Sequence, residues 1–107
     1  MVRTELYFGR DMPGKGEVSD VEFEGFLAEV ITRELPEGLT LLDAYGQYED
    51  AGGAIIKQAT KVMLVFHEGT GQESSAIDRV VSDYRERFGG AKVMRSTAQA
   101  DVVFYVD

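Results

Sequence analysis

Few side chains in this sequence have types and placements that suit chemistry. His67 is the only histidine, and an imidazole titrates closer to neutrality than any other unperturbed side chain, so it is a candidate general base. Asp43, Gln47 and Lys61, together with Tyr45, are polar groups on segments that otherwise read as apolar strand. Such a set can bind a polar ligand or poise an acid against a base. Tyr7 and Tyr105 add rings that pack while their hydroxyls still seek a partner. These six positions, Tyr7, Tyr45, Gln47, Lys61, His67 and Tyr105, are the predicted ligand or interface residues, with Asp43 beside them. No catalytic role is assigned to any of them from the sequence.

Other chemistries are disfavoured. The chain has no cysteine, so it has no disulfide, thiolate nucleophile or cysteine-based metal site. Ser74 and Ser75 fall at a helix start and lack a strand-turn-helix elbow. Gly14-Lys15-Gly16 lacks the spacing of a phosphate loop, and no run of carboxylates has the spacing of a calcium loop. No metal and no cofactor are predicted. With 11 Lys and Arg against 19 Asp and Glu, the formal net charge is −8. The cations are scattered singly, which disfavours nucleic acid and anionic membrane surfaces as partners. The opening residues lack a secretory h-region, so a cytoplasmic location is expected, or an envelope location had a leader been removed.

These side chains must be positioned by a small number of elements. The length of 107 residues predicts a single domain over 1–107. Val2, Thr4, Leu6 and Phe8 alternate with Arg3, Glu5 and Tyr7, a strand pattern ending near Gly9. Residues 10–17 are turn formers. Ser19 with Glu22 has capping-box spacing, and Phe23, Phe26, Leu27, Val30 and Ile31 follow at helical intervals up to Leu35, before Pro36. A second strand is expected over 39–49, a tight turn at Asp50-Ala51-Gly52-Gly53, and a third strand over 55–67. Thr70 with Glu73 repeats the capping box, and Ile77, Val80, Val81, Tyr84 and Phe88 mark a second helix stopped by Gly89-Gly90. Lys92 to Arg95 reads as a short strand, Ser96 to Ala100 as a kink or bulge, and Asp101 to Val106 as the final strand.

The order β-α-β-β-α-β predicts an α+β, ferredoxin-like sandwich: a four-stranded antiparallel sheet with two helices on one face. Strand parity then assigns Leu6, Phe8, Leu42, Val62, Leu64, Phe66, Val102 and Phe104 to the covered side. It leaves Tyr7, Leu41, Tyr45, Met63, Val65, Val103 and Tyr105 on the open face, with Asp43, Gln47, Lys61 and His67. A face that apolar calls for shelter. It predicts a homodimer, a small-molecule ligand, or both.

Glu5-Leu6-Tyr7-Phe8-Gly9, Val18-Ser19, Phe26, Gly38-Leu39-Thr40 and Asp43-Ala44-Tyr45-Gly46-Gln47-Tyr48 together resemble the domain of unknown function family 3574, small bacterial proteins. The resemblance spans about residues 5 to 67, with Tyr48 where that family has tryptophan. It implies a fold and no reaction. Two readings of function follow: a binding or assembly module working through its open sheet face, or a small cofactor-independent enzyme of the dimeric α/β-barrel type acting on a small organic molecule.

Overall fold

The computed structural model describes residues 1–106. β1 (Val2–Gly9) is followed by a miniature hairpin, β2 (Asp11–Met12) with β3 (Gly16–Glu17). The first helix begins as α1 (Asp20–Phe26), widens into a π-helical turn over Leu27–Ile31, and closes as α2 (Thr32–Glu34). A long hairpin of β4 (Thr40–Glu49) and β5 (Ile55–His67) leads to α3 (Gly71–Arg87) and then β6 (Val93–Gln99). The sheet order is β4-β5-β1-β6 and every ladder is antiparallel. This is the ferredoxin-like arrangement expected from the sequence.

Both helix starts form as the spacing requires. The Ser19 hydroxyl accepts from the Glu22 N–H, and the Thr70 hydroxyl from that of Glu73, each at 3.1 Å. In return Glu22 and Glu73 accept from the cap backbones at 3.0 and 3.1 Å, so two orphan donors are satisfied at each end. The helices lay Phe23, Phe26, Ile31, Ile77, Val80, Tyr84 and Phe88 onto Leu6, Phe8, Met63 and Val65. At the centre of this core Phe8, Phe23, Phe26 and Tyr84 meet edge-on or tilted, with centroids 4.7–6.2 Å apart. That spacing suits the aromatic quadrupole.

Two expectations are corrected here. The last strand is Val93–Gln99, not 101–106, which carries no regular structure. The reason lies in the partner. β1 starts at Val2, opposite Gln99, and the Ala100 N–H bonds to the Met1 carbonyl. Past that point no strand remains to pair with, whatever the propensity of the segment.

The second correction concerns parity in the central hairpin. The register sets Met63 beside Leu6, Val65 beside Thr4 and Lys61 beside Phe8, with Leu41, Asp43 and Tyr45 opposite Met63, Lys61 and Ala59. Directly opposed residues share a face, so Leu41, Asp43, Tyr45, Gln47, Lys61, Met63, Val65 and His67 lie on the helix side. Leu42, Val62, Leu64 and Phe66 lie on the open face with Tyr7. Val62 to Phe66 is an unbroken apolar run, and Leu41-Leu42 are adjacent. Neither stretch alternates, so hydrophobicity alone does not fix which parity faces inward.

Candidate functional site

The predicted site residues separate into three places. Tyr7 stands on the open face of β1. Tyr45, Gln47, Lys61 and His67 share the helix-side face, but Lys61 and His67 are six positions apart on one strand, about 20 Å. Tyr105 lies in the segment after β6. Tyr7 and His67 line different clefts.

His67 is buried, and both its nitrogens are occupied. Nδ1 accepts from the Gly69 N–H at 3.1 Å, which requires the proton to sit on Nε2, 2.8 Å from Thr4 Oγ1. The ring ties β5 to β1 and fixes the turn into α3. Gly69 holds φ +78°, and a Cβ there would come within 2.9 Å of Val2 Cγ2. A cleft of about 610 Å³ passes His67 between the end of α2 and the start of α3. The imidazole has no free nitrogen to offer it.

Lys61 joins a compact charge network at the start of α1. Its Nζ lies 2.5 Å from Asp43 Oδ1 and 3.6 Å from Asp20 Oδ1, and 5.7 Å from the centroid of Phe23. Arg10 donates to Asp20 at 2.8 Å and to the Val18 carbonyl at 2.9 Å. The hydrogen bond and charge of Arg10, with Lys61 adding to them, hold the Asp20 carboxyl below the usual range. Two cations here meet two carboxylates, and the network pins the loop after β1 to the central hairpin.

The open face carries a different grouping, and only Tyr7 of it was foreseen. Arg3, Glu5 and Tyr7 follow one another on β1, an inner strand of the sheet. The Tyr7 hydroxyl donates a short hydrogen bond to Glu5 Oε2, and Arg3 Nε lies 3.3 Å from Glu5 Oε1. The bond to Glu5, then desolvation and the Glu5 charge, raise the phenol pKa against the opposing pull of Arg3. Arg3 Nε is buried and makes no directed hydrogen bond among the described residues. Around this polar row stand Leu42, Val62, Leu64, Phe66 and Met94. Phe66 is 46% and Met94 59% exposed, so much of the face is apolar and uncovered. The signal for Arg3 and Glu5 was present in the sequence: they share parity with Tyr7 at two-residue intervals.

Among the described residues no three His, Cys, Asp or Glu side chains are grouped to hold a metal ion, and no helix is long and apolar enough to cross a membrane.

An antiparallel four-stranded sheet in the order β4-β5-β1-β6 with helices on one face defines a class, the ferredoxin-like α+β domains. Within it, the chain belongs to the family described as protein of unknown function (DUF3574), matched over residues 3–104. No curated protein sequence matches it. Among solved structures it is similar to a phage SAM lyase in complex with S-methyl-5'-thioadenosine, with a TM-score of 0.66 at 13% identity, over 92% of this chain and 80% of that one. A phage SAM lyase in its apo state gives a TM-score of 0.63 at 13% identity, over 91% and 78% of the two chains. At that identity the likeness is one of fold.

Proposed function

We propose that the protein is a binding and assembly module whose open sheet face packs against a second copy, with the Arg3–Glu5–Tyr7 row inside the contact. The observation behind this reading is that Leu42, Leu64, Phe66 and Met94 surround a partly buried ion pair on a face no helix covers. Burying each large apolar side chain is worth about 1.5–3 kcal/mol. A desolvated charged row in a mating surface contributes orientation more than raw affinity. Sedimentation at micromolar concentration tests it: the wild type associates, and Phe66→Glu, which sets an unpaired carboxylate into the contact, lowers the associated mass. A wild type that sediments as a monomer overturns the reading.

A second reading, a small enzyme, is favoured by the polar row itself. Glu5 is a carboxylate that can accept from ligand hydroxyls, as acidic residues do with ribose. Arg3 Nε, ion-paired with Glu5 but without a directed hydrogen bond, is a donor that an incoming group can engage. The phage SAM lyase of similar fold was solved with a thionucleoside, which makes S-methyl-5'-thioadenosine the probe to use. A thermal shift with that compound, abolished in Glu5→Gln, supports the enzyme. No shift at millimolar probe leaves the module as the better account.

A further inference from the structure

We propose that residues 101–106 form a donated strand, which adds to the free edge of β4 in a second copy of the chain. This goes beyond the face-to-face contact above, since it concerns an edge and a different segment. The segment reads Asp101-Val102-Val103-Phe104-Tyr105-Val106, β-branched and aromatic throughout its apolar part. Yet among the described residues it joins no strand ladder. Val103 is 68%, Phe104 72% and Tyr105 94% exposed. The family match runs to residue 104, so most of this segment is part of the shared domain and not an appendage.

Its composition says where it fits. Both parities are apolar, Val102 and Phe104 on one side, Val103 and Tyr105 on the other, which is the pattern of a strand sheltered on both faces. The sheet has two free edges. β6 offers Arg95, Ser96 and Thr97, all exposed and polar. β4 offers Leu42 and Tyr48 on the open face and Tyr45 on the helix side, each at least half exposed, so it presents apolar surface on both faces. An extended segment over 101–106 covers about 20 Å, shorter than the 10-residue β4 edge. Strand addition there satisfies backbone groups that an exposed edge leaves open. Because the tail of one copy meets the edge of another, the contact is heterologous and either closes into a ring or propagates.

Truncation after Ala100 is the first test. The tail makes none of the core contacts, and the Ala100 to Met1 hydrogen bond is retained, so the circular dichroism spectrum and thermal transition are expected to stay within error of wild type. Species larger than the face-to-face dimer are expected to be lost in sedimentation. Phe66→Glu added to the truncated chain separates this from the face contact: larger species lost on truncation, with the remaining dimer lost only when Phe66→Glu is added, supports the tail, and larger species that persist after truncation overturn it. The second test uses the absence of cysteine. In the Tyr45→Cys, Phe104→Cys double variant, mild oxidation is expected to give disulfide-linked multimers, with few in Thr97→Cys, Phe104→Cys. Linkage confined within single chains, or stronger linkage at position 97, overturns the proposal.

Discussion

Thr4 and His67 are joined at 2.8 Å inside the core, a hydroxyl on β1 holding the only imidazole of the chain on β5. The ring's other nitrogen accepts from Gly69, so the histidine acts as a strut between two strands and a turn.

Thr4→Val keeps the shape at position 4 and removes the acceptor, leaving Nε2–H buried without a partner. Such a group costs about 1–3 kcal/mol. Urea denaturation is expected to show that loss in midpoint with an unchanged slope. A Thr4→Val protein as stable as wild type would mean the ring finds water instead.

Tyr84 donates to the Gly9 carbonyl at 2.7 Å, and burial pushes its phenol up to about 12 from a usual 10.0. The folded state therefore holds the proton more tightly than the unfolded chain. Stability from this group is complete below pH 10 and is lost as pH rises toward 12. Alkaline unfolding followed by circular dichroism is expected to be steeper in the wild type than in Tyr84→Phe across that window. Equal slopes would remove Tyr84 as the cause.

Carboxylates with lowered pKa are expected to contribute to the acid limb. Glu22 and Glu73 are held down first by the cap backbones of Ser19 and Thr70, and Asp20 by Arg10. A depressed pKa gives stability that is present above the unfolded values, 4.5 for Glu and 3.8 for Asp, and is lost as pH falls through the lower folded ones. Glu22→Gln and Glu73→Gln together are expected to flatten the decline of melting temperature below pH 4.5. An unchanged acid profile would mean other groups dominate. Separately, Ser19→Ala and Thr70→Ala are each expected to cost about 1 kcal/mol at neutral pH.

On the open face, Arg3, Glu5 and Tyr7 are expected to act as a unit. Glu5→Gln and Tyr7→Phe in a double-mutant cycle should show a coupling of about 0.5–3 kcal/mol in stability or association. Additive effects would show that the short contact carries no energy of its own.

Much of this architecture could be read directly from residues. Ser19 with Glu22 and Thr70 with Glu73 are local devices that close within one turn, and the Asp50 turn is likewise local: its carboxylate accepts from the Gly52 and Ala54 N–H groups at 2.9 Å. What escaped were decisions made by partners distant in sequence. Val62 to Phe66 is apolar on both parities, so only the pairing with β1 settles that Met63 and Val65 face the helices. Ser96 to Gln99 has little strand propensity, yet it lies opposite Val2 to Glu5 and joins the sheet. Val102 to Val106 has high propensity and, among the described residues, no strand partner. The candidate site suffered accordingly: Tyr7 was placed correctly by its clean alternation, while Tyr45, Gln47, Lys61 and His67 were turned to the wrong side with their strands.

β5 outruns β1: Ile55 to Ala59 pair only with Tyr45 to Glu49, so the end of the central hairpin stands clear of the inner strands as a two-stranded arm. Two strands without a third are marginal in water. Amides near Gly53 should therefore exchange their hydrogens well before those at Leu6 or Met63. The far end of the hairpin is thus the stretch of the sheet held by the fewest partners, tied to the rest by the Gln58 to Asp11 hydrogen bond.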